Sequence, residues 1–257
     1  MTAVDLQCTD SGGNGEPVLL AHAIGCDRRM WDDLAAALAP RRRVVAIDAR
    51  GHGKSPLPPR PWSLEDMADD AARLLDRLGI ERTDWVGLSM GGMVGQAFAL
   101  RHPGRLRRLV LANTTSSYGP DGRTMWDNRI RLITGGGLAA IRDMVTARYF
   151  SEEFIAAHRG VVERVMGRFM ETPADGYLGC CEAIRELEYT AALPRIHAPA
   201  LVVAGELDQG TTPAMARVIA NGIPGARLAI IPGASHLSAV EKPAEFNALV
   251  EEFLAAH

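Results

Sequence analysis

Lysine is almost absent from this chain: of 28 basic residues only Lys54 and Lys242 are lysines, and the rest are arginines. Such a skew reads as codon bias, not as a requirement of the fold. The arginines are mixed among 31 acidic residues for a net charge of −3, and no basic block stands out. Nucleic-acid binding needs a basic face to neutralise phosphates, so no nucleic-acid partner is expected. The clusters Arg41-Arg42-Arg43 and Arg107-Arg108 each precede a strand-like run and read as solvated loop ends.

Cysteine is scarce too. Cys8, Cys26, Cys180 and Cys181 show no zinc-like paired spacing, and the neighbours Cys180 and Cys181 are poorly placed to bridge each other. Reduced thiols are therefore expected, and the residues singled out below imply no metal or organic cofactor. No apolar run reaches the length of a transmembrane helix. Met1 to Gly15 carry Asp5 and Asp10 and no apolar stretch of signal-peptide length, so the expectation is a cytoplasmic protein with no membrane partner. What is present is 257 residues, 47% hydrophobic and 23% charged, enough for one sizeable core and suited to one domain with an insertion.

The most informative segment is Gly87-Leu88-Ser89-Met90-Gly91, which lies directly after the apolar run Trp85-Val86 and before the helical stretch Met93 to Leu100. It has the form of a nucleophile elbow, in which a serine sits on a tight strand-to-helix turn. Small residues are needed two positions to either side, where the backbone is strained and the helix packs close to the strand. Gly87, Gly91 and Gly92 meet that need.

A serine hydroxyl attacks only when an imidazole takes its proton, and the imidazole needs a carboxylate to fix its tautomer. His236 follows the strand-like run Arg227 to Ile231, and Asp208 follows Ala200 to Ala204. Both then lie on loops at strand carboxyl ends, where open α/β sheets build sites. Glu206, two residues before Asp208, is the rival acid. A tetrahedral intermediate also needs N–H donors for its oxyanion. One is expected from Met90, and the other from Ile24 in His22-Ala23-Ile24-Gly25, which follows the strand Val18 to Ala21.

The order Ser89, Asp208, His236 is that of the α/β-hydrolase superfamily, which the chain resembles over nearly its whole length. The segment from Asp48 to Ser55 (Asp48-Ala-Arg-Gly-His-Gly-Lys-Ser55) resembles the loop after the family's fourth strand, and Glu241-Lys242-Pro243 the entry to the last helix. His22 to Gly25 resembles the family's His-Gly-x-Gly loop with Ala23 in place of the first glycine. Alanine avoids positive φ, which leaves the geometry of that loop open. Within the superfamily the chain is most similar to 3-oxoadipate enol-lactonases, through Met30-Trp31, Trp126 to Ile130, Gly176 to Ala183 and Ser235 to Ser238.

Short β-branched runs alternate with helical patterns, which predicts an α/β fold with a mostly parallel sheet flanked by helices. The expected strands are Ala3 to Cys8, where the family usually has a hairpin, then Val18 to Ala21, Val44 to Asp48, Asp84 to Leu88, Arg108 to Ala112, Ala200 to Ala204 and Arg227 to Ile231. Ser63 to Asp66 reads as a capping box that opens a helix through Leu78 and ends at Gly79. Ala244 to Ala256 reads as the final helix, with Pro243 in its first turn. Between Tyr118 and about Pro194 the pattern is helical without strands: Met125 to Ile133, Leu138 to Tyr149, Val161 to Met170 and Gly176 to Leu187, broken by Gly135-Gly136-Gly137 and Thr172-Pro173. The expected organisation is a core of residues 1–117 and 195–257 with a helical cap, 118–194, over the serine.

On the first cap helix Trp126, Ile130 and Ile133 share a face, with Arg129 at its edge and Arg131 pointing away. Trp126 and Arg129 are candidate substrate-binding residues, since a guanidinium at the rim of an apolar face can grip a carboxylate. A snorkelling or salt-bridged Arg129 is the plainer alternative. Cys26, two residues past Ile24, is either a reactive thiol near the site or a small buried hydrophobe.

Gly53-Lys54-Ser55 resembles the end of a phosphate-binding loop, but the earlier glycine would fall at Asp48, whose charge would repel phosphate. Gly51-x-Gly53 has Pro56 where a dinucleotide fingerprint needs its third glycine, so His52 reads as part of a structural loop. Ser89 argues against the epoxide hydrolases and dehalogenases of this fold, which use a carboxylate nucleophile. What remains is a serine hydrolase acting on a small carboxylic ester or lactone, with 3-oxoadipate enol-lactone the substrate that the resemblance implies. A carbon–carbon bond hydrolase of ring-cleavage products, a broad carboxylesterase or perhydrolase, and a non-catalytic ligand-binding relative are the alternatives.

Overall fold

The computed structural model describes residues 4–256. In chain order its first elements are β1 (Cys8–Asp10), β2 (Pro17–Ala21), α1 (Asp32–Leu38), β3 (Arg43–Ile47), α2 (Leu64–Arg77), β4 (Thr83–Leu88), α3 (Met90–Arg101) and β5 (Leu106–Ala112). Five helices follow without a strand: α4 (Gly122–Gly136), α5 (Arg142–Tyr149), α6 (Glu152–Ala157), α7 (Arg159–Glu171) and α8 (Ala174–Arg185). The chain then returns to the sheet with β6 (Ala200–Gly205), α9 (Pro213–Gly222), β7 (Arg227–Ile231), α10 (Ser238–Glu241) and α11 (Pro243–Ala255).

The seven strands form one sheet in the order β1-β3-β2-β4-β5-β6-β7, parallel except where β1 runs against β3. Strands covered by helices on both faces read as continuous apolar runs, and β4 and β6 are buried at every position. After β2 the chain builds β3 on one side and β4 on the other, so the strand order reverses there. Crevices at such a switch point, at the carboxyl ends of the strands, are where this class of sheet binds ligands. Register sets the details: Ala21 pairs with Gly87, and Gly205 with Ile231. The loop after β2 therefore lies beside the end of β4, and the loops after β6 and β7 lie side by side.

The α/β architecture and the six later strands agree with the sequence reading to within two residues at each end. The amino-terminal strand does not. Among the described residues of that stretch (Ala3 lies outside them), only Cys8 joins the sheet, and β1 runs on to Asp10. The amides of Val4 and Gln7 bond to the side chains of Asp70 and Ser55 instead of a strand neighbour. The arginine clusters also differ from expectation. Arg43 opens β3, Arg107 and Arg108 lie within β5, and Arg42 and Arg108 converge on the fully buried Asp84. A carboxylate taken out of water needs such partners.

In the helical segment, α4 runs through Gly135 and Gly136 and stops only at Gly137, where φ is +63°. Glycine weakens a helix interior without ending it, whereas a positive φ ends it. The stretch from Leu138 starts as a 3-10 turn before α5, and α6, capped by Ser151, had no apolar periodicity to announce it. α10 precedes the final helix, which starts one residue before the expected position.

The capping box at Ser63 and Asp66 is formed in both directions, with the Ser63 hydroxyl accepting from the Asp66 amide and the Asp66 carboxylate accepting from the Ser63 amide. Ser63→Ala should cost about 1 kcal/mol of stability. A urea midpoint equal to that of the parent protein would contradict this.

Candidate active site

Ser89 stands between β4 and α3 with φ 55° and ψ −115°, a strained conformation held from both sides. Its amide donates to Ala112 O at 2.9 Å, and its carbonyl accepts from the Thr114 hydroxyl at 2.8 Å. The flanking glycines are explained by contact: a Cβ on Gly87 would come within 2.1 Å of Gly91 O, and one on Gly91 within 2.0 Å of Ala21 O. Only hydrogen at these positions lets α3 sit down on β2 and β4.

His236 and Asp208 meet at the ends of β7 and β6. His236 Nδ1 lies 2.8 Å from Asp208 Oδ2, with both side chains buried. Asp208 accepts four further hydrogen bonds, from the amides of Gly210 and Thr211, the Thr211 hydroxyl and Asn113 Nδ2. Burial works to raise its pKa, but the charge of a protonated His236 and these bonds outweigh it and hold the carboxyl well below the usual carboxylate range. Glu206 is exposed and accepts from the Gly233 amide at 2.9 Å, so Asp208 is the acid that the geometry brings to the imidazole. Among the described residues no hydrogen bond engages the Ser89 hydroxyl or His236 Nε2. Such contacts commonly close only when substrate binds.

The loop after β2 is a tight turn. Cys26 N–H donates to Ala23 O at 3.0 Å, and Gly25 has φ +71°, the pattern of a type II turn with glycine in third place. The positive φ that left this loop open in the sequence falls on Gly25, so Ala23 is accommodated. Two buried histidines hold the turn. His22 Nδ1 donates to Ala23 O at 2.7 Å while its Nε2 accepts from the Ala49 amide, and His52 Nε2 accepts from the Gly25 amide at 3.0 Å. Loss of water lowers both pKa values, that of His52 to about 3, so each ring is neutral and can accept. His52 is thus a structural group, as its loop position implied. Among the described residues neither the Ile24 amide nor the Met90 amide, the latter at the first residue of α3, has a hydrogen-bond acceptor.

Arg129 and Trp126 lie on the buried face of α4. The Arg129 guanidinium stacks 4.9 Å from the Trp126 ring and touches the Tyr177 hydroxyl at 3.3 Å. It is 7% exposed and pairs with no acid among the described residues, which leaves the salt-bridge alternative without a partner there. Trp126 is buried edge-on against Tyr118, with its own Nε1 unpartnered. Cys26 is buried, and loss of water pushes its thiol up to about 12, so it behaves as a small hydrophobe. All four cysteines are free thiols.

Several groups at the site were not legible in the sequence. Asn113 bonds Asp208, the Ser235 carbonyl and the Ser238 hydroxyl, and its φ of +44° at a strand end is a conformation asparagine tolerates. Glu241 accepts from the amides of Ser151 and Ser235 and so ties the helical segment to the His236 loop. An asparagine one residue past a strand was the single available hint.

A strained serine on a glycine-flanked elbow, an imidazole–carboxylate pair and two free amides on a mostly parallel sheet together define the class. The chain belongs to the α/β-hydrolase family, whose profile matches residues 18–249, and it is a hydrolase. It is 34% identical to 3-oxoadipate enol-lactonase 2 of Acinetobacter baylyi, over 98% of this chain and 94% of that one. The crystal structure of the enol-lactonase from Burkholderia xenovorans LB400 superposes with a TM-score of 0.95 at 35% identity, covering 98% of this chain and 97% of that one. A thermophilic esterase from Thermogutta terrifontis, solved with malate bound, superposes at 0.92 and 31% identity, covering 98% and 93%.

The buried histidines make stability depend on pH. Each is neutral in the folded chain and takes up a proton on unfolding, so its contribution is complete above about pH 6.5 and is lost as pH falls toward the folded value. For His52 the loss near pH 5 should be about 2 kcal/mol. Urea midpoints near neutrality and near pH 5 check this, with His52→Gln, which keeps an acceptor but no titrating ring, expected to lose less between them. Equal losses in both proteins would remove His52 as the source.

Proposed function

We propose that the chain is a serine hydrolase that opens a small carboxylic ester or lactone through an acyl-enzyme, with Ser89 as nucleophile, His236 as base and Asp208 as its orienting acid. Ser89 Oγ attacks the carbonyl carbon as its proton passes to His236 Nε2, and the N–H groups of Ile24 and Met90 hold the oxyanion. When the intermediate collapses, the carbon–oxygen bond breaks and His236 returns the proton to the leaving oxygen. Water then attacks the acyl carbon, giving its proton to His236, and Ser89 leaves with that proton. The helical segment 118–194 acts as the cap that excludes water from this chemistry.

One observation supports the substrate class: Arg129 is a buried cation with no anionic partner among the described residues. Leaving a guanidinium uncompensated away from water costs several kcal/mol, so a site that keeps one is built for an arriving anion. Trp126 serves as its stacking platform and Tyr177 as a side support. The preferred substrate is then an ester or lactone with a carboxylate remote from the scissile bond. A 3-oxoadipate enol-lactone has that form, and the names of the relatives from Acinetobacter and Burkholderia and the malate bound to the Thermogutta esterase support this reading.

Ser89→Ala and His236→Ala should each remove most turnover, and Asp208→Asn should lower kcat by roughly 10³- to 10⁴-fold, while Glu206→Gln stays within about two-fold. The reverse ranking of the two acids would unseat Asp208.

Arg129→Met tests the substrate class. It should cost an anionic enol-lactone about 2 to 4 kcal/mol in kcat/KM while a neutral short-chain ester changes little. An unchanged ratio of specificity constants for the two substrates would return Arg129 to a structural role.

A further inference from the structure

One cap residue touches both halves of the site. The Tyr149 hydroxyl donates to the carbonyl of Ile24, the residue whose amide is proposed above to hold the oxyanion. Its ring stacks on the His236 imidazole, with centroids 5.9 Å apart and planes inclined by 22°. Its main-chain carbonyl accepts from the Leu237 amide at 2.9 Å, directly after the base. Arg148, one residue earlier, donates to Gly210 O at 3.0 Å in the loop that cradles Asp208, and its carbonyl accepts from the Ser235 hydroxyl. The carboxyl end of α5 thus contacts the oxyanion loop, the acid loop and the base loop within two residues.

We infer that Tyr149 is a positioning residue for the proposed reaction: its phenol sets the oxyanion turn against the His236 loop, so that seating the cap and assembling the oxyanion hole are one event. The inference rests on the acyl-enzyme reading above. The middle peptide of the turn is held at its N–H end by His52 and at its C=O end by Tyr149. A type II turn can otherwise rotate that peptide. The tyrosine is suited to a fixed role, because burial keeps its hydroxyl protonated and it can only lose its acceptor by leaving the site. Oxyanion stabilisation depends on donors placed to within a fraction of an ångström, so a strut between donor and base acts on the transition state more than on ground-state binding. Nothing in the sequence pattern marks Tyr149, which ends a cap helix 125 residues from Ile24.

Tyr149→Phe keeps the ring against His236 and removes only the hydroxyl. Turnover is counted per active site titrated with an alkyl fluorophosphonate, so partial misfolding cannot imitate the effect. The expected result is a kcat lower by roughly 10- to 100-fold, KM within about two-fold, and the affinity for an alkyl boronic acid, which places an oxygen in the oxyanion position, weakened in step with kcat. Tyr149→Leu, which also removes the ring from His236, should lose more. Wild-type kcat and boronate affinity in Tyr149→Phe would overturn the inference, as would a deficit confined to the number of titratable sites. If the phosphonate labels Ser89 in the wild type and Tyr149→Phe is indifferent, this inference alone fails. If Ser89 is not labelled in the wild type, the acyl-enzyme reading fails and takes the role of Tyr149 with it.

Discussion

The close approach of the α3 amino terminus to the ends of β2 and β4 is the constraint on which the site depends. Without a Cβ on Gly87 or Gly91 the helix reaches the strands, Gly91 N–H donates to His22 O, and Ser89 is forced into its left-handed turn. One packing contact therefore does two things. It turns the chain sharply at the serine, and it leaves the Met90 amide at a helix end with no acceptor among the described residues. Strain of this kind persists because the bonds to Ala112 and Thr114 over-determine the position.

Around that turn the charged and polar groups are arranged by dehydration. Asp208 stays ionised although it is buried, because five hydrogen bonds, the one with His236 among them, replace its water. His22 and His52 solve the opposite problem: they are kept neutral by burial and so can accept from backbone amides that would otherwise be orphaned. Arg129 is the exception, a dehydrated charge whose compensation comes from the Trp126 face and the Tyr177 hydroxyl and not from an acid. The contrast between a fully satisfied carboxylate and an under-satisfied guanidinium parallels the division between the proposed cleavage machinery and the proposed substrate-binding element.

The helical segment is joined to the core by polar ties as well as by apolar packing. Tyr149 reaches Ile24, Glu241 reaches Ser151, and a Cβ on Gly25 would strike the rings of Phe169 and Tyr177. Held at these points, the segment is anchored directly to the loops that carry the proposed site.

The sequence by itself determined most of the elements and singled out the candidate reacting groups. Periodicity of two and of 3.6 fixes strands and helices locally, and the elbow glycines, the order Ser89, Asp208, His236 and the Ser63 capping box are short-range signals that one stretch of chain contains. It was silent where the deciding contact comes from elsewhere in the chain. The amino-terminal stretch was read as a strand because its apolar alternation is local, yet Asp70 and Ser55 claim its amides. Arg42 and Arg108 looked like solvated loop ends until the fold buried Asp84 between them. The pairing of His236 with Asp208 and not Glu206, the lack of an acid beside Arg129 among the described residues and the reach of Tyr149 to Ile24 likewise emerge only in the tertiary structure. Each is a statement about which distant polar groups share a dehydrated space, and no spacing along one segment encodes that.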